Sequence, residues 1–266
     1  MTSIPRRIVC LSAEAVDLFY RLGAQELVIG VSAFTQFPPE ARSKVFVSGF
    51  TTIRYDVIES LKPDLVIGFS DLQADALREL AKRGYPVLLT NQRTLEEMFA
   101  TITMLGRIVG KAAEAESLVC ELQSRLEDAR QTSRRWKRRP KVYFEEWDDP
   151  LITGIAWIGE LIEAAGGEDA FGELGRLRTA SERVIQAEAV IERAPDIIIA
   201  SWCGKKANQE AIRARPGWEA IPAIHDQELH EIKSEYCLQP GPVLIAEGLP
   251  RFSAIVGNWH AKSGNR

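Results

Sequence analysis

One phrase occurs twice in this chain: Lys62-Pro63-Asp64-Leu65-Val66-Ile67-Gly68 in its first half, and Ala194-Pro195-Asp196-Ile197-Ile198-Ile199-Ala200 in its second. Each carries Pro-Asp at its second and third positions and runs on through apolar residues without a polar break. A short, β-branched run of this kind reads as a strand covered on both faces, as in a parallel sheet. Each follows a helical segment with an acidic or polar last turn, "DVIESLK" and "EAVIERA". Proline ends that helix because the residue before it is pushed out of the α region, and the aspartate can bond nearby backbone before the strand begins. About half the chain separates the two phrases, so a duplicated α/β plan is the economical reading.

The rest of the chain follows the same grammar. Residues 7–12, 27–31, 45–48, 64–69 and 86–90 are short apolar runs, most of them separated by helical spacing such as Ala15–Leu22 and Ala74–Lys82. From Leu95 to about Arg135 the period changes: Met98, Ile102, Leu105 and Val109, then Leu118, Leu122 and Leu126, fall at helical steps, with a break expected near Gly106 or Gly110. After Pro140 strands return at 141–147, 195–202 and 228–234, with helices at 158–167 and from about Pro242 to Trp259. The expected organisation is an N-terminal α/β lobe at 1–94, a helical linker at 95–139 and a C-terminal α/β lobe at 140–266. With 266 residues, two modest lobes fit the usual size of domains. In such sheets ligands sit beyond the carboxyl ends of the strands. Two lobes set face to face would share one cleft there.

Composition narrows the function. Net charge is −4, and the one basic run, Arg134 to Arg139, sits between a helix and a strand, so nothing resembles a nucleic-acid footprint. Apolar stretches are too short for a membrane span or a secretory signal, and the four cysteines have no paired spacing. The sequence as written therefore reads as cytoplasmic, or as periplasmic if a signal has been removed. "GRIVGK" at 106–111 is one residue short of a P-loop, and "CLSAEAV" stands where a dinucleotide-binding glycine motif would follow the first strand. No histidine or cysteine set has zinc spacing, and no nucleophile elbow is present. Neither a catalytic residue nor a metal ligand is assigned.

Aromatic side chains stand just beyond the expected strands: Phe34, Phe37, Phe50 and Phe69 in the first lobe, Trp147 and Trp202 in the second. Gathered at strand ends they suit a large, flat, partly apolar ligand held by stacking. Glu145, Glu146, Asp148 and Asp149 surround Trp147 as hydrogen-bond acceptors for such a ligand, or as a solvated turn; Lys205 and Lys206 follow Trp202 and could meet a negative group or simply face water. The candidate binding set is Ser12, Glu14, Phe34, Phe37, Phe50, Phe69, Glu146, Trp147, Trp202 and Tyr236.

The segments "PRRIVCLSAEAVDLFYRLGAQELVIGVSAFTQFPPEAR", "VIESLKPDLVIGFSDLQADALRELAKRGYPVLL", "WIGELIEAAGGEDAF", "PDIIIASW" and "PGWEAIPAIHDQELHEIK" resemble, in order, the cobalamin-binding proteins that serve ABC importers. These belong to a helical-backbone group that also binds ferric siderophores and haem. The resemblance covers about residues 5–256. It implies two Rossmann-like lobes with parallel sheets joined by a long rigid helix, with the ligand between the lobes. It also implies ligand-side roles for Phe34, Phe37 and Phe69, and for Tyr236 in the loop "KSEYCLQPGP". The expectation is a non-enzymatic binding protein for a corrinoid or comparable metal chelate, bound as ligand with no cofactor required, working as a cytoplasmic carrier, scavenger or sensor. One alternative is a periplasmic receptor for cobalamin, haem or a ferric siderophore with an ABC permease as partner. Another is a cleft enzyme of unknown reaction using Glu145, Glu146 or Cys203.

Overall fold

The computed structural model describes residues 4–49 and 51–263. It divides into two compact units. The first comprises residues 1–121 together with Gln239–Val243; the second comprises 122–238 and 244–266. The segment 95–139, expected as a linker, is thus shared between the two at Glu121.

The first unit is built on a five-stranded, wholly parallel sheet: β1 (Ile8–Cys10), β2 (Val28–Ser32), β3 (Val45–Ser48), β4 (Leu65–Phe69) and β5 (Val87–Thr90), in spatial order β3-β2-β1-β4-β5. Helices α1 (Ala13–Arg21), α2 (Tyr55–Leu61) and α3 (Ala74–Lys82) make the crossovers. The apolar runs give strands β1 and β4 that are buried throughout, while the edge strands β3 and β5 leave Val45, Phe46 and Leu89 exposed; Val9, Val47, Val66, Ile58, Leu77 and Leu80 form one core with α2 and α3. Each such side chain contributes about 1.5–3 kcal/mol by leaving water. Helix α4 (Leu95–Ile108) starts on a capping box. The Thr94 hydroxyl accepts from the Glu97 N–H, and the Glu97 carboxylate accepts from the Thr94 N–H, as the T-x-x-E spacing allows. The expected break falls at Gly110, whose φ of 72° favours glycine, before α5 (Ala112–Ser133).

The second unit has strand order β10-β9-β6-β7, with β6 (Lys141–Asp148), β7 (Leu151–Thr153), β9 (Ile197–Ala200) and β10 (Leu229–Glu231); β8 (Glu168–Asp169) also pairs with β6. All pairs but β6–β7 are parallel. Helix α6 (Ala156–Ala164) and the terminal helix Leu249–Ser263 pack together, with Phe144 stacked on Phe252. On the other side Tyr143 meets Phe171 and Trp218 edge-on, at centroid separations of 5.5 and 6.2 Å.

The echoing phrases are the same device used once per unit. Lys62 and Ala194 both adopt the left-handed conformation, φ 47°, ψ 60° and φ 46°, ψ 60°. Asp64 then accepts from the backbone N–H groups of Arg6 and Arg7 and donates its own N–H to the Arg7 carbonyl. Asp196 accepts from the Lys141 N–H and donates to the Lys141 carbonyl. In each unit the aspartate aligns β4 or β9 with the start of the strand beside it, β1 or β6.

Candidate functional site

In the first sheet the chain order reverses between β1 and β4, and the crevice outside the carboxyl ends of those two strands is where an open parallel sheet receives ligands. Gln73 fills its floor. The side chain is 1% exposed, donates to the Leu11 carbonyl at 3.1 Å and accepts from the Phe69 N–H at 2.9 Å, so the ends of β1 and β4 are stitched together. Gly68 makes room for it, because a Cβ there would sit 3.0 Å from Gln73 Oε1 and 2.9 Å from Leu77. Ser70 follows with φ 64° and ψ 163°, a region that is essentially glycine's, at a cost on the order of 1–3 kcal/mol. It is held there by its N–H bond to the Thr90 carbonyl, and its hydroxyl accepts from the Leu72 N–H.

Ser12 and Glu14 lie beside this crevice and are buried. Burial raises the Glu14 carboxyl to about 7, against the lowering effects of the Ser12 hydroxyl and a backbone bond. Its Oε1 has no hydrogen-bond partner, and neither has Gln92 Oε1; both residues line a cavity of about 10 Å³ with Thr90, Thr101 and Pro240. The segment Gln239–Val243 closes over it: Gln92 donates to the Pro240 carbonyl, the Val243 N–H donates to Asp17, and Gly241 presses on Glu14, where a Cβ would come within 2.7 Å. Of the expected aromatics, Phe34 is 40% exposed, Phe37 is half-buried, Phe69 is buried, and Phe50 lies outside the described residues.

The second sheet reverses between β6 and β9, and its crevice is filled by charge. Glu145, fully buried, accepts from Arg215 at 2.5 and 2.9 Å, from Trp202 Nε1 at 3.0 Å and from the Tyr143 hydroxyl at 3.2 Å. Burial and the adjoining Glu145 carboxylate push the Tyr143 phenol well above its ordinary value. The neighbouring acids are also spoken for. Glu146 takes both Arg183 nitrogens, at 2.7 and 3.2 Å, and Asp148 takes Lys205 at 2.7 Å. The Lys205 ammonium stands 4.1 Å from the Trp147 ring centroid and 4.8 Å from that of Trp202. Of the four acids, expected as ligand acceptors or as a solvated turn, three are thus paired inside the unit. The partner of Lys205 is an acid of its own unit. Trp202 is buried with its N–H given to Glu145; Trp147 is half-buried and gives its N–H to the Asp149 carbonyl. Tyr236 is half-buried under the Arg251 guanidinium, 3.7 Å from its ring centroid.

The sequence reading did not single out Arg183 or Arg215. They lie 37 and 70 residues from the acids they neutralise, and only the Glu145-Glu146 pair, following the apolar run Val142-Tyr143-Phe144 within one strand, signalled that cations had to be found. Among the described residues no group of three or more His, Cys, Asp or Glu side chains is placed to hold a metal ion, and no helix is long and apolar enough to cross a membrane.

Each of the two α/β units presents a crevice at the carboxyl ends of its parallel strands, where sheets of this kind receive ligands. A match to the periplasmic binding protein family over residues 8–236 places the chain in that family. It is 28% identical over 261 residues to the uncharacterized ABC transporter substrate-binding lipoprotein YvrC of Bacillus subtilis, covering 95% of this chain and 80% of the relative. It is 25% identical over 254 residues to the vitamin B12-binding protein of Pectobacterium atrosepticum, covering 91% of this chain and 86% of that one. The periplasmic heme-binding protein RhuT from Roseiflexus sp. RS-1 has the same fold, with a TM-score of 0.80 at 22% identity over 94% of this chain and 99% of that chain. The chain thus belongs to a family of binding proteins, as its resemblance implied.

Proposed function

We propose that this protein captures a bulky metal chelate of the corrinoid or haem kind and hands it to an ABC permease. One observation carries the reading: the acids at the strand-end crevices are for the most part paired within their unit or, at Glu14, disfavoured as charges by burial. In the second unit Arg215, Arg183 and Lys205 neutralise Glu145, Glu146 and Asp148; in the first, Glu14 is buried with its pKa raised to about 7. At the first unit's edge Phe34 and Leu72 are exposed and Phe37 is half-buried, apolar surface that suits a macrocycle better than a small charged solute. The relative named for vitamin B12 and the fold shared with a haem-binding protein support the same class. The lipoprotein relative favours the importer role, and with it a place outside the cytoplasm, over the cytoplasmic carrier.

Phe34, Phe37 and Tyr236 are the proposed aromatic contacts, with Phe69 and Ser12 behind them in the first unit and Trp147 in the second. Calorimetric and absorbance titrations with cobalamin, cobinamide, haem and a ferric tris-hydroxamate chelate test the proposal. Saturable binding of at least one macrocycle is expected; no binding of any of the four overturns it.

A further inference from the structure

The turn after β4 holds an apolar side chain out where burial would be expected. Leu72 is 59% exposed, the most exposed large apolar side chain among the described residues. It stands one residue before the Gln73 plug, at the mouth of the crevice between β1 and β4. Three features fix it there. Ser70 occupies a conformation that serine avoids, and its hydroxyl grips the Leu72 N–H at 3.3 Å. The Gln73 N–H returns to the Ser70 carbonyl at 3.1 Å. Asp71, between them, is tied to Arg93 at 2.7 Å, which also neutralises the only ionised group of the turn.

Backbone strain persists only where the surroundings over-determine it, and such outliers gather at sites of use. Here the strained residue has one local product, an aliphatic side chain projected at the sheet's ligand end. Gln73 beneath it has its amide engaged on both sides, so the crevice floor carries no charge to attract a polar ligand.

We propose that Leu72, projected by the strained Ser70 turn, is an apolar ligand contact that selects chelates with a hydrophobic macrocycle face over chelates whose metal is wrapped in polar hydroxamate or carboxylate groups. The inference rests on the reading of the protein as a metal-chelate receptor and names the face of the chelate that the first unit meets. Ser70 acts as a positioning residue and makes no ligand contact of its own.

The test compares wild type, Leu72→Asp, Leu72→Ser and Ser70→Gly in titrations with cobinamide, haem and a ferric tris-hydroxamate chelate, alongside thermal melts. The expected result is macrocycle affinity lowered at least tenfold by Leu72→Asp and several-fold by Leu72→Ser, with melting midpoints unchanged. Ser70→Gly is expected to raise the midpoint, by relieving strain, while weakening macrocycle binding several-fold. That opposite movement is one that a purely structural role for the turn does not produce. If wild type binds a macrocycle and both Leu72 variants bind it equally well, the inference fails and the receptor reading stands. Preference of wild type for the hydroxamate chelate over both macrocycles overturns it too. If wild type binds none of the probes, the receptor reading falls and this inference with it.

Discussion

Glu14 shows how far a fold can alter one side chain. A carboxyl in water titrates near 4.5; this one, enclosed by the first turn of α1, Gln92 and the Pro240-Gly241-Pro242 segment, is held to about 7 by loss of solvent. Between those two values the folded protein keeps a proton that the unfolded chain has released, so stability falls as pH rises through that window. Its contribution is complete below about 4.5 and lost above about 7. At roughly 1.4 kcal/mol per pH unit the swing is about 3 kcal/mol. Urea unfolding at pH 5 and pH 8 should show that loss in wild type, and Glu14→Gln should abolish most of it while leaving the protein more stable than wild type at pH 8. Equal pH dependence in both proteins would place the proton elsewhere.

At the scale of elements, the paired clamps at Asp64 and Asp196 show what was legible and what was not. Proline, aspartate and an apolar run marked both strands, and β1 to β6, β9 and β10 all fall within or beside the runs read from the sequence. Strands β7 and β8 escaped because neither stands in a longer run with a pattern of its own: Leu151–Thr153 is closed in by Pro150 and Gly154, and Glu168–Asp169 has no apolar residue. The left-handed residues before each proline were hidden as well, since lysine and alanine give no sign of positive φ. Replacing Ala194 by glycine removes its Cβ from that conformation, and the relief exceeds glycine's extra freedom in the unfolded chain. A gain of about 0.5 kcal/mol in unfolding free energy is expected for Ala194→Gly, and the same for Lys62→Gly, measured by denaturant titration. Losses in both would mean that these positions do not carry the strain their dihedrals imply. The site was less legible than the fold for the same reason as β7. Glu146 and Trp202 were picked out by their place at strand ends, but whether an acid or indole is free depends on Arg183, Arg215 and Lys205, and long-range pairing leaves no local periodicity.

For the whole molecule, the receptor reading makes stability depend on ligand. A chelate that binds only the folded protein stabilises it by about 2.7 kcal/mol at a hundredfold excess over Kd. For a chain of this size that corresponds to a rise of roughly 5–10 °C in the unfolding midpoint. A thermal melt with saturating cobinamide or haem should show it, and an unmoved midpoint would argue that titration signals came from non-specific association.

The way the first unit is completed has a consequence during synthesis. Its last piece, Gln239–Val243, is made long after Glu121. At translation speeds of about 5–20 residues per second, the delay is on the order of ten seconds. Until then Asp17 lacks the Val243 N–H, Gln92 lacks the Pro240 carbonyl, and Glu14 lacks its glycine cover. The nascent first unit therefore waits, still tethered to the ribosome, unfinished beside Glu14, and a gene fragment ending at Glu121 would encode that unfinished form permanently.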